Sequence, residues 1–139
     1  MRPGVHGFVL ETFVDPDEAV VALRAVKEAA PDLAVAVSLV PTENGKLHSG
    51  EPVRHAAETL RLAGADIVGF NCGTSPVGVE RAVAACRGVG PLWAKPPAGR
   101  HVREALVRLA PDCDWLGGCC GVTYRDIAAL VTALAEERG

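Results

Sequence analysis

Short apolar runs alternate along this chain with stretches whose apolar residues recur every three or four positions. Residues 5–13, 33–40, 66–71, 91–95 and 114–118 read as strands. The second run is nearly all apolar, as suits a strand covered on both faces. Helical stripes lie between and after them: Ala19, Leu23, Val26 and Ala30; Val53, Ala56, Ala57 and Leu60; Val79, Ala82, Val83 and Cys86; Val102, Ala105, Leu106 and Leu109; Ile127, Leu130, Val131 and Leu134. The helix ends carry matching signals. Asp15 can cap, Pro16 suits the first helical position, and Glu18 completes a capping-box spacing. Pro31 stops the first helix, Gly64 ends the second, Ser75-Pro76 starts the third and Thr123 caps the last. Five strand–helix units at this spacing predict an α/β fold with a parallel sheet and right-handed crossovers. A doubly wound open sheet and part of a (β/α)-barrel both satisfy the pattern, and periodicity alone does not choose between them.

The 139 residues suit one domain, and the shares of 49% apolar and 22% charged residues are those of an ordinary globular protein. A net charge of −3, with arginines dispersed along the chain, argues against a nucleic-acid or anionic-lipid surface. No apolar run approaches the ~20 residues of a membrane helix. The first apolar stretch is broken by Glu11 and lacks a small-residue cleavage site, so a signal peptide is not expected. Five cysteines, two of them adjacent, make a poor disulfide framework. A reducing, cytoplasmic setting with free thiols fits better.

The residues at the C-terminal ends of the strands carry the chemistry. In order they are Glu11-Thr12, Ser38, Asn71-Cys72, Lys95-Pro96 and Gly118-Cys119-Cys120-Gly121. Parallel α/β folds place active sites on this rim. Cys72 and the Cys119-Cys120 pair lie beside glycines, which let the backbone turn sharply so that neighbouring side chains converge. Three thiolates on Zn²⁺ leave one tetrahedral position open, the arrangement of a catalytic site. A thiol entering that position becomes a thiolate suited to attack an electrophilic carbon such as an onium methyl group. The adjacent pair can also be read as ordinary small apolar residues or as a vicinal disulfide.

GADIVGFNCG, PLWAKPPAG and WLGGCCG resemble the matching motifs of the homocysteine S-methyltransferase family, as do VLETFVDPDEA and SLVPTENGKLHSGEP earlier in the chain. The resemblance covers essentially all 139 residues. It implies a zinc-dependent (β/α)₈ TIM barrel that transfers a methyl group to the thiol of homocysteine to give methionine. It maps the metal onto Cys72, Cys119 and Cys120, gives Glu11 a contact with the homocysteine amino group, and gives Asn71 a supporting role at the substrate. The family has eight strands, whereas this chain carries the pattern of the last five. Residues 1–139 are therefore expected to form a homocysteine-binding domain truncated on its N-terminal side: a partial barrel of five parallel units that self-associates or is completed by another fragment. The stretch after KPPAG reaches the next helix sooner than in the family, and Pro97 stands where the family commonly has Asn.

Three functions stay in play: an S-methyltransferase completed by another chain, a non-catalytic zinc-binding remnant, and a phosphate-ligand barrel enzyme that uses Gly117-Gly118. The methyl donor is not identified. Cys86 on a helical stripe and Cys113 before a strand read as structural. Lys95 reads as a solvated rim charge, Trp93 and Trp115 as core packing, and His6, His48, His55 and His101 as surface residues.

Overall fold

The computed structural model describes residues 4–136. Among them, five strands, β1 (Gly7–Phe13), β2 (Ala34–Leu39), β3 (Ile67–Asn71), β4 (Leu92–Lys95) and β5 (Trp115–Leu116), form one sheet. Each strand pairs in parallel with the next one in the chain, in the order β1-β2-β3-β4-β5. A doubly wound sheet reverses its strand order at a switch point. The sequential order here is that of a barrel wall, so the fold is a partial (β/α)-barrel. The helices α1 (Pro16–Ala29), α2 (Val53–Leu62), α3 (Pro76–Ala85), α4 (Val102–Leu109) and α5 (Tyr124–Glu136) follow their strands in turn.

The two faces of the sheet differ in chemistry. Val35, Val37, Leu39, Val68, Phe70, Leu92 and Ala94 pack with Ala19, Leu23, Ala56, Leu60, Val79 and Val83 of the helices into the main core. By strand alternation, Ala36, Ser38, Gly69 and Trp93 face the barrel interior. Trp93 is buried there, and its indole N–H donates to the Val37 carbonyl at 3.2 Å. The ring lies against Gly69: a Cβ there would stand 2.0 Å from Trp93 Cδ1. Small residues on β2 and β3 thus make room for one large side chain from β4.

The helix ends follow local chemistry. Asp15 accepts the Asp17 N–H at 2.8 Å, so the cap bond falls one residue before Glu18. Helix α2 closes with Gly64 at φ 106°, the Gly64 N–H bonded to Arg61 O and the Ala65 N–H to Leu60 O, a Schellman ending. The Asp126 carboxylate accepts from both the N–H and the hydroxyl of Thr123 at the start of α5.

Some expectations are corrected. The fifth strand is shorter than residues 114–118: β5 pairs only through Trp115 and Leu116, with one further backbone bond at each end. Its path beyond Leu116 is set by Gly118, where a Cβ would stand 2.2 Å from Val122 Cγ1. Trp115 is 49% exposed, because it projects from an edge strand with nothing described opposite it. Phe8 and Val9 on the other edge strand are exposed in the same way. Val131 is also exposed, since α5 packs through Ile127, Leu130 and Leu134. Among the described residues, no helix is long and apolar enough to cross a membrane.

Candidate metal centre

Cys72 follows the last residue of β3. Its φ of 59° is left-handed, and so is that of Gly73 at 87°. Two such residues in succession reverse the chain, and a left-handed conformation at a non-glycine residue stores strain of about 1–3 kcal/mol. A Cβ on Gly73 would stand 2.9 Å from Pro41 O, so the turn is packed as well as sharp. The Cys72 N–H is held by Lys95 O at 3.1 Å. The other two cysteines sit in the loop after β5. That loop is stitched to the one after β4 by Cys119 N–H to Pro96 O at 2.9 Å and Ala98 N–H to Cys120 O at 2.7 Å. Gly121, at φ 77°, brings the loops close enough that a Cβ would lie 2.9 Å from that of Ala98.

These turns converge three sulfurs. Cys72 Sγ and Cys120 Sγ are 3.7 Å apart, Cys119 Sγ and Cys120 Sγ are 4.0 Å apart, and all three lie within 4.8 Å of one another. Sulfurs placed tetrahedrally ~2.3 Å from one cation stand about 3.8 Å apart, so the cluster can hold a metal ion with little movement. Among the described residues it is the one group of three or more His, Cys, Asp or Glu with ligand atoms so placed. The thiols differ in acidity. Burial, with the neighbouring Cys119 and Cys120, pushes the Cys72 thiol up to about 11. Burial also acts to raise Cys119, but hydrogen bonds from Asn71, the Cys120 N–H and the two other thiols outweigh it and hold Cys119 below its ordinary value.

Asn71 is fully buried and ties three strand ends together. Its Oδ1 accepts from Ser38 Oγ at 2.7 Å and from the Thr12 N–H at 3.2 Å. Its Nδ2 donates to Thr12 Oγ1 at 2.9 Å and to Cys119 Sγ at 3.7 Å. The first three bonds fix which way the amide points and aim its N–H at the sulfur. Thr12 takes part from a left-handed backbone, φ 73°, where the β1–β2 register shifts between Leu10 and Phe13.

Glu11 and Lys95 form an ion pair between β1 and β4. Lys95 Nζ also lies 5.2 Å from the centroid of the Trp93 ring. The Lys95 stem runs along Gly117, where a Cβ would meet Cγ at 3.2 Å. Lys95 is thus a half-buried, partnered charge and not the solvated one expected. The structure brings Glu11, Asn71, Cys72, Lys95, Cys119 and Cys120 to one rim. It leaves Cys86 and Cys113 away from it, packed with the core, where burial raises each thiol to about 12. The four histidines are exposed. Ser38 and Thr12 had stood out only as strand-end residues. A serine in the apolar run AVAVSLV, facing the barrel interior, is the signal that marks the first of them.

A parallel barrel wall with three cysteine sulfurs gathered at its C-terminal rim, close enough together to hold a metal ion, defines a partial (β/α)-barrel protein with a candidate metal site. Residues 1–134 match the family Homocysteine S-methyltransferase, and the chain belongs to that family. Betaine–homocysteine S-methyltransferase 1 of Mus musculus is 28% identical over a 174-residue alignment covering 100% of this chain and 42% of the relative. S-methylmethionine–homocysteine S-methyltransferase BHMT2 of Pongo abelii is 29% identical, covering 97% of this chain and 46% of the relative. The metallated form of the homocysteine methyltransferase MmuM of Escherichia coli superposes with a TM-score of 0.77 at 26% identity, over 94% of this chain and 46% of that one. Its oxidised form gives 0.75 at 27%. The chain spans less than half the length of these relatives. The mouse alignment is also longer than the chain itself, so that relative carries segments with no counterpart here.

Proposed function

We propose that this chain holds Zn²⁺ through Cys72, Cys119 and Cys120 and, as part of a (β/α)₈ barrel, transfers a methyl group to the thiol of homocysteine to give methionine. The convergence of three sulfurs at tetrahedral spacing on the strand-end rim carries this reading. An all-thiolate donor set suits zinc over hard cations such as magnesium or calcium. Bound there, zinc supplies the charge that keeps a substrate thiol deprotonated at neutral pH. The protein's own groups do the rest. Asn71 orients Cys119, Glu11 offers a carboxylate to the substrate ammonium, and the glycine-rich turns leave Cys120 exposed toward the open side of the rim. The names of the relatives include two onium compounds, betaine and S-methylmethionine, and a donor of that class fits a nucleophilic thiolate.

Residues 1–139 act as the homocysteine-binding domain, and the rest of the barrel wall comes from further protein, a complementing fragment or a second copy. The edge strands β1 and β5 support this, because they expose Phe8, Val9 and Trp115 where a closed barrel would bury them. Size-exclusion chromatography should find the isolated chain associated, and a cooperatively melting monomer would contradict that. The same open wall favours a second reading, a chain that keeps the metal without completing the transfer.

Two measurements decide between these. Cys119→Ala abolishes retention of one zinc per chain while Cys86→Ala leaves it intact, as read by elemental analysis after dialysis; equal loss in both removes the ligand assignment. Methyl transfer to homocysteine from an onium donor then separates the transferase from a metal-holding remnant.

A further inference from the structure

Glu11 sits at the rim with its carboxylate against a primary alkylammonium, that of Lys95. The two residues are 84 positions apart and belong to strands at opposite sides of the wall, so their pair crosses the interior rather than bracing neighbours. Lys95 is tied to the cysteine cluster by its backbone. It lies opposite Asn71 in the β3–β4 register, and its carbonyl accepts the Cys72 N–H. Its side chain runs along Gly117 and over the Trp93 face, so the charge is half-buried and depends on a partner. A ligand ammonium arriving at Glu11 would compete with Lys95 for that carboxylate and, on displacing it, would leave the Lys95 cation facing the ligand.

We infer that Lys95 is a specificity-determining residue: its ammonium passes from Glu11 to the carboxylate of an incoming α-amino-acid thiol. The inference rests on the proposed thiol-binding role of the cysteine cluster. A zwitterion satisfies both charges at once, its ammonium replacing Lys95 on Glu11 and its carboxylate receiving the released Lys95. An aminothiol without a carboxylate takes Glu11 but strands Lys95 without an anion. A neutral thiol leaves the ion pair untouched. The exchange therefore selects amino-acid thiols from simple ones without any new cavity, by charge pairing alone.

The test uses the zinc-loaded chain and calorimetric titration with three thiols: L-homocysteine, 3-aminopropanethiol, which has the same chain length without the carboxylate, and 1-propanethiol. Lys95→Met lowers the ratio of homocysteine affinity to 3-aminopropanethiol affinity by at least about tenfold, the scale of one charged hydrogen bond. Its affinity for 1-propanethiol stays unchanged. Lys95→Arg, which keeps the charge, preserves the ratio and shows that loss of the stem's packing is not the cause. If Lys95→Met shifts homocysteine and 3-aminopropanethiol by the same factor while 1-propanethiol still binds, the inference is overturned and the thiol site stands. If the unaltered chain takes up none of the three thiols, the thiol-binding reading fails and the inference falls with it.

Discussion

Asn71 Nδ2 stands 3.7 Å from Cys119 Sγ, and the same side chain accepts the Ser38 hydroxyl at 2.7 Å. One amide with no exposure to solvent thus couples a strand interior to a sulfur of the rim. Residues that orient metal ligands typically contribute 10–100-fold in metal affinity. Asn71→Ala should weaken zinc binding by roughly that range in competition with a chelator. It should also cost about 1–3 kcal/mol in urea melts, because the buried Ser38 hydroxyl loses its acceptor and the Thr12 N–H keeps only its longer bond to Ser38 Oγ, at 3.4 Å. Unchanged chelator competition in a folded Asn71→Ala chain would mean that the amide serves packing alone.

The acidity of Cys72 makes metal uptake pH-dependent. Its thiol, pushed up to about 11 by burial and by its two neighbours, carries a proton in the metal-free chain at neutral pH. Ligation requires the thiolate, so that proton must leave as the metal enters. Zinc affinity should rise about tenfold per pH unit for each proton released, and keep rising above pH 8 on account of Cys72. Equilibrium titrations at pH 6, 7, 8 and 9 measure the slope. An affinity flat across that range would show that the three thiols do not ligate together.

The sheet and the cysteines were legible in the sequence for one reason: each is written locally. The alternation of apolar runs and helical stripes marks all five units, and the NCG and GGCCG turns need their glycines wherever the chain goes. What could not be read depends on partners across the barrel. Lys95 looks like a surface charge until β1 is placed opposite it. Ser38 looks like an interruption of an apolar strand until Asn71 is seen to need it. Trp93 and Trp115 stand in similar strand contexts, yet one is buried and the other half exposed. The difference is that β2 and β3 lie on the side of Trp93, whereas β5 is an edge with nothing described beyond it.

Gly69 is the position where a single methyl group should test the interior packing. A Cβ there would stand 2.0 Å from Cδ1 and 2.2 Å from Nε1 of Trp93, atoms of a rigid ring pinned by its bond to Val37 O. The ring cannot yield without losing that bond. Gly69→Ala should therefore cost about 3 kcal/mol or more, the upper range for overpacking, and should red-shift Trp93 fluorescence as the indole moves toward water. Gly88, whose Cβ would meet nothing within 4 Å, is the control for added bulk: Gly88→Ala should cost only the backbone strain of its φ of 83°, about 1–2 kcal/mol. A Gly69→Ala chain as stable as the parent would mean that the indole does not fill the interior.

Asp66 should give the fold its acid sensitivity near the start of β3. Its Oδ2 accepts from Lys27 Nζ at 2.8 Å and from the Val35 N–H at 2.7 Å. The Lys27 bond, then the Val35 N–H, hold the carboxyl below its usual value against a smaller opposing effect of burial. A carboxyl depressed on folding adds stability in full above its unfolded value, about 3.9, and loses it as pH falls through the lower folded value. Its side chain is about half exposed, so solvent screening limits the contribution to about 0.5–1 kcal/mol. Asp66→Asn keeps an acceptor for Val35 but gives up the charge opposite Lys27. The variant should be less stable than the parent by that amount at pH 7, and the gap should close as the pH falls from about 4 through the lower folded value, where the parent carboxyl becomes protonated too. Urea melts of both proteins at pH 7, 4 and 2.5 measure it, and a gap that stays constant down to pH 2.5 would place the effect in packing instead of charge.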